Sequence, residues 1–121
     1  MKRLTVVLSL LFVIGCDGST EPSGPGTITV SIVSPNGAEG AAILDIVGPV
    51  ETVTGANDVS AYPTPSATGT RVVLVRMTPG SLQVRLGIPD VSRPPSVSVI
   101  EVADGNDRLR ESVGGYSVEL D

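Results

Sequence analysis

Apolar side chains in this chain recur at every second position, in runs of about four to eight residues that proline and glycine cut short. Beyond residue 16 no segment keeps the 3.6-residue spacing of an amphipathic helix. Ile28, Val30 and Ile32 alternate with Thr27, Thr29 and Ser31; Leu82, Val84, Leu86 and Ile88 alternate with Ser81, Gln83 and Arg85. Sixteen valines lie after Cys16, and their stiff branched side chains suit a pleated strand better than a helix. The pattern predicts an all-β chain: an antiparallel β-sandwich of seven to eight short strands joined by glycine and proline turns.

Taken in order, the first strand starts at Thr27 and ends at the turn formers Pro35-Asn36-Gly37. Ala41 to Val47 is a second run, closed by Gly48-Pro49, and Glu51 to Thr54 a short third. Weak strand character at Val59 and Ala61 stops at Tyr62-Pro63-Thr64-Pro65, so Pro63 to Gly69 is expected to be loop. Val72-Val73-Leu74-Val75 reads as a central strand covered on both faces. Thr78-Pro79-Gly80-Ser81 has the chemistry of a type II turn, which would join that strand to Leu82–Ile88 as a hairpin. In Ser96 to Ala103 the apolar phase slips between Val99 and Ile100, which predicts a bulge. Asp104-Gly105-Asn106-Asp107 turns the chain, and Tyr116, Val118 and Leu120 mark a last strand. A core of Val, Ile, Leu and Ala without large aromatics predicts modest stability.

The N-terminus has a different construction. Met1, Lys2 and Arg3 form a basic start, Leu4 to Ile14 is uncharged and apolar, and Gly15-Cys16 follows. This is the build of a secretory signal. The apolar run falls short of the roughly 20 residues that a membrane span requires. Residues 17 to 26 are turn formers without an aliphatic side chain, as in a tether. The expected organisation is a cleaved signal helix over 1–15, an anchor and tether over 16–26, and a sandwich domain over 27–121.

Val13-Ile14-Gly15-Cys16 resembles the lipobox of bacterial lipoproteins. The resemblance implies cleavage between Gly15 and Cys16 and a diacylglyceryl group on the Cys16 thiol, so that membrane lipid is the first partner. Two acyl chains give stable attachment where one is marginal. Cys16 is also the sole cysteine, so it has no intrachain disulfide partner. The implied location is the cell envelope, anchored to a bacterial membrane; Asp17 resembles the inner-membrane retention signal of enteric lipoproteins and leaves inner and outer membranes both open. The strand order from Gly40 onward is similar to cohesin-like and immunoglobulin-like sandwich modules, and Gly115-Tyr116 resembles the tyrosine corner of the latter. What this likeness implies is architecture rather than a partner.

Composition narrows the function. Beyond Cys16 six arginines face thirteen acids, a formal charge of −7, which disfavours a nucleic-acid partner. With no histidine in the chain, the commonest general base and metal ligand is missing. Only Tyr62 and Tyr116 supply aromatic surface there. No catalytic residue, metal ligand or cofactor is therefore assigned, and the chain is not expected to be an enzyme. Three polar groupings stand out: Asp104-Gly105-Asn106-Asp107 with Glu111, which fails the ligand spacing of an EF-hand loop; Asn57-Asp58 with Asp45 and Glu51; and Arg71, Arg76 and Arg85 along the supposed hairpin. The leading expectation is a lipid-anchored, non-catalytic structural or protein-binding module that meets another envelope protein. The alternative is a membrane-tethered receptor for a small ligand or divalent cation.

Overall fold

The computed structural model describes residues 22–121. The signal, the cleavage position at Gly15 and Cys16, and the lipid attachment at Cys16 lie outside the described residues. Eight strands follow one another: β1 (Gly26–Val33), β2 (Glu39–Val47), β3 (Thr52–Ala56), β4 (Val59–Pro65), β5 (Gly69–Gly80), β6 (Gln83–Ile88), β7 (Ser96–Ala103) and β8 (Ser117–Leu120). They form two four-stranded antiparallel sheets, in the orders β3-β6-β1-β8 and β4-β5-β2-β7, packed face to face as a β-sandwich.

Alternation decides which side chains meet between the sheets. Ile28, Val30 and Ile32 of β1 and Val84, Leu86 and Ile88 of β6 face Ala42, Leu44 and Ile46 of β2 and Val72 and Leu74 of β5 in one buried cluster. Full burial of each such Val, Leu or Ile stabilises by about 1.5–3 kcal/mol relative to exposure. Val59 of β4, Leu82, which precedes β6, and Val102 of β7 complete the same cluster.

The registers divide the connections between two ends. At the end marked by Val33 lie residues 34–38, 57–58, 81–82 and 104–116. The opposite end, marked by Gly26, holds residues 48–51, 66–68 and 89–95, together with the segment that enters β1.

Four expectations need correction. β5 and β6 are not a hairpin: they lie in different sheets, and the chain crosses between them at Ser81-Leu82. Gly80 takes no left-handed φ as a type II turn would need; β5 instead runs on through it, beside Glu39. Val73, 36 % exposed on the outer face of β5, shows that this central strand is covered on one face only. Pro63 to Pro65 is strand and not loop, because β4 is an edge and missing donors can face solvent there.

Each open edge carries a feature that discourages further pairing. β4 has Pro63 and Pro65. β7 carries the bulge that the phase slip predicts, with Glu101 opposite Ile43, Val99 opposite Leu44 and Ile100 extra between them. The Arg110 N–H donates to the Val102 carbonyl at 2.8 Å, and Leu109 bridges Ala103, so the C-terminal end of that edge is covered. β8 has four residues. β3 turns directly into β4 through Asn57 and Asp58, both left-handed at φ 53° and 68°.

Candidate functional site

Glu39 is the one buried charged side chain among the described residues. It opens β2 directly after the Pro35-Asn36-Gly37 turn, in which Gly37 adopts φ 81°. The turn brings Ser34, at the end of β1, back over the carboxylate. Ser34 Oγ accepts from the Asn36 N–H at 3.0 Å and donates to Glu39 Oε2 at 2.6 Å. The Tyr116 hydroxyl donates a short bond to the same oxygen and accepts from Asn36 Nδ2 at 2.9 Å. Arg110 donates to Oε1 from Nε at 3.1 Å and from Nη2 at 2.9 Å.

Four donors therefore saturate the two oxygens, which is what a buried carboxylate requires. Burial raises the Glu39 pKa, but the hydrogen bonds from Ser34, Tyr116 and Arg110 and the arginine charge outweigh it, so the group titrates below the ordinary glutamate range. The glutamate side chain is 2 % exposed and the arginine 26 %, so the pair is sealed from one side only. A cavity of about 330 Å³ adjoins it, lined by Ile32, Ser34, Ala38, Gly80 and Leu82.

Chemically the cluster is cohesive. A carboxylate with every lone pair engaged and a lowered pKa is neither a proton donor near neutrality nor a free base. It ties the β1–β2 turn and the start of β2 to the 104–116 connection, segments distant in sequence, across the gap between the sheets. Tyr116, singled out for its likeness to a tyrosine corner, spends its hydroxyl on Glu39 and Asn36. Neither Glu39 nor Arg110 is marked by local pattern; the lone hint is an acid set among the small residues Gly37, Ala38, Gly40 and Ala41 ahead of an apolar strand.

The polar groupings expected from sequence resolve differently. Asp104 Oδ1 accepts from the N–H groups of Asn106 at 2.8 Å and Arg108 at 3.1 Å, while Asp107 takes φ 63°. The turn thus closes on itself. Those two backbone donors, Arg108 before Asn106, hold the Asp104 carboxyl below its usual range. Asn57-Asp58 sits at the Val33 end and Glu51 at the Gly26 end, with Asp45 on the outer face of β2, so that cluster does not assemble. Arg71 pairs across strands with Asp45 at 3.7 Å, Arg76 donates to the carbonyls of Thr78 and Ser81, and Arg85 lies on the other sheet. Among the described residues no three His, Cys, Asp or Glu side chains are placed to hold a metal ion.

A second polar contact governs how the chain enters the domain. Asp90 Oδ1 accepts from the Gly24 N–H at 3.1 Å, and the Val91 N–H donates to the Gly24 carbonyl at 2.9 Å. The Ser92 hydroxyl and backbone N–H and the Gly24 N–H, in that order, lower the Asp90 pKa. Asp90→Ala is expected to speed amide hydrogen exchange at Gly24 and Ser92 while leaving the melting temperature nearly unchanged, since the contact is peripheral and only partly buried. Unaltered exchange at both amides would show that the contact does not hold the entering segment.

No family model, curated protein or solved structure matches this chain at a significant level.

Proposed function

We propose that the chain is a lipid-anchored protein of a bacterial cell envelope whose β-sandwich acts as a non-catalytic structural or protein-binding module. The observation that carries this reading is the order of the N-terminal features: a basic start, an uncharged apolar run, Val13-Ile14-Gly15-Cys16, and then turn formers leading into the sandwich. Each has a physical task. The apolar run engages the export machinery, the thiol accepts the lipid, and the glycine- and proline-rich stretch separates lipid from fold.

The site chemistry supports the non-catalytic part. The acid best shielded from water spends its oxygens on Ser34, Tyr116 and Arg110, and Asp104 and Asp90 are engaged by backbone donors. Carboxylates used in this way strengthen the scaffold and leave recognition to surfaces.

In a bacterial host, Cys16→Ala should move the protein from the membrane fraction to the soluble or signal-retaining form. Mass spectrometry should find diacylglyceryl on the N-terminal cysteine of the native protein and none in the variant. An unmodified thiol in the native protein, or a Cys16→Ala variant that is still cut before residue 16 and still held in the membrane, overturns the reading.

A further inference from the structure

The two outer faces of the sandwich differ sharply. Outward positions of β3-β6-β1-β8 are mostly hydroxyl-bearing or charged, among them Thr27, Thr29, Ser31, Thr52 and Arg85, with Val33 as the one large exposed aliphatic side chain, at the end of β1. The outer face of β4-β5-β2-β7 carries instead Ala41, Ile43, Val73 and Val75 at its centre, with Tyr62 58 % exposed beside them. An antiparallel sheet exposes one face to water by making it polar, and a contiguous apolar outer face marks a surface that another body covers.

Register shows which body fits. Across the sheet from β4 to β7, the row at the level of Ile43 reads Tyr62, Val73, Ile43, Glu101. One row toward the Gly26 end it reads Thr64, Arg71, Asp45, Ser98, and one row toward the other end Ser60, Val75, Ala41, Ala103. Consider a second copy stacked on this face about 10 Å away, related by a two-fold axis that runs along the strands between β5 and β2. The operation exchanges β5 with β2 and β4 with β7 at constant level. Val73 then meets Ile43, Val75 meets Ala41, and Arg71 meets Asp45, each twice. Tyr62 arrives over Glu101, at the rim of a shallow apolar depression of about 170 Å³ bounded by Ala41, Ile43, Ala103 and Leu109. Such an axis also accommodates the crossing of roughly 30° at which twisted sheets stack.

The other face-to-face two-fold, perpendicular to the strands, would exchange the upper and lower rows. It would set Arg71 and Asp45 against Val75 and Ala41, desolvating charge on aliphatic carbon. It would also send the two N-terminal segments to opposite ends. The axis along the strands keeps both copies of Gly26 at one end, so two lipids could enter the same bilayer.

We infer that this chain forms a parallel homodimer through the outer face of β4-β5-β2-β7, centred on Ile43 and Val73 with reciprocal Arg71–Asp45 pairs. The parallel sense agrees with, and in part rests on, the lipid-anchored reading; the pairing of side chains does not depend on it.

Sedimentation equilibrium of the full-length protein in mild detergent tests the inference. Wild type should sediment as a dimer. Asp45→Arg and Arg71→Asp should each place like charges across the interface and weaken self-association by about a hundredfold or more. An equimolar mixture of the two should form a heterodimer, because every crossing pair becomes Arg opposite Asp again; a merely misfolded variant would not be rescued in this way. Monomeric wild type, undiminished dimerisation of either variant, or a mixture that stays monomeric overturns it. Mass spectrometry of the same samples keeps the two readings separate: acylated monomers refute only the dimer, and unacylated dimers only the anchor.

Discussion

Glu39→Ala is expected to lower the melting temperature by roughly 15–30 °C, from a cost of about 3–5 kcal/mol for breaking a buried ion pair in a domain of this size. Loss of the carboxylate removes the acceptor for Ser34 Oγ, the Tyr116 hydroxyl and both Arg110 donors at once. Ser34 and Tyr116 retain contact with Asn36, but the guanidinium loses its partner. The effect has a definite pH dependence. The Glu39 pKa is lower in the folded chain than in the unfolded one, so its contribution is complete above the unfolded value, about 4.3, and fades as pH falls through the lower folded value. Asp90 and Asp104, also lowered, act with the same sign. The wild type should therefore lose stability below about pH 4, and Glu39→Gln should flatten that acid limb. Differential scanning calorimetry between pH 7 and pH 3 provides the check; an Ala variant melting within a few degrees of wild type would mean that the cluster contributes little.

Gly55→Ala should cost as much, about 3–5 kcal/mol, at the upper end of what single substitutions do. Gly55 lies where β3 leaves one sheet and the chain turns into β4 of the other, and a Cβ there would overlap the Val59 carbonyl. Backbone cannot rotate away as a side chain can, so the corner itself would have to open. Because β3–β4 closes one side of the sandwich, opening it would also expose Ala56 and Val59, both buried. Denaturant titration of the variant should show a lower midpoint. A midpoint within experimental error of wild type would mean that the corner tolerates the shift.

Much of the fold was legible because strand alternation is a local property. Ile28, Val30 and Ile32, and Leu82, Val84, Leu86 and Ile88, point inward as their spacing requires, and the bulge at Val99-Ile100 follows from a phase slip visible in one segment. Strand partners were less accessible. Thr78-Pro79-Gly80-Ser81 carries turn chemistry, yet β5 continues through Gly80 because Glu39 supplies a neighbour there. Likewise Pro63 and Pro65 read as breakers until β4 proves to be an edge. The polar cluster was the least legible part. Ser34 and Glu39 flank the β1–β2 turn while Arg110 and Tyr116 lie in the 104–116 connection, and no spacing rule links residues that converge only after two sheets have stacked.

Residue order alone determined that the region from Thr27 onward is all-β, that its inward faces are aliphatic, and that the chain opens on a basic start and an uncharged apolar run before Gly15-Cys16. These are consequences of nearest-neighbour chemistry: pleat period, turn propensity and apolar run length. Tertiary structure decided which strands share a sheet, that a lone acid becomes the keystone of one end, and that the apolar residues of β2 and β5 form a single outer face. Those outcomes depend on contacts between distant segments, whose energies exist only once the chain has closed upon itself.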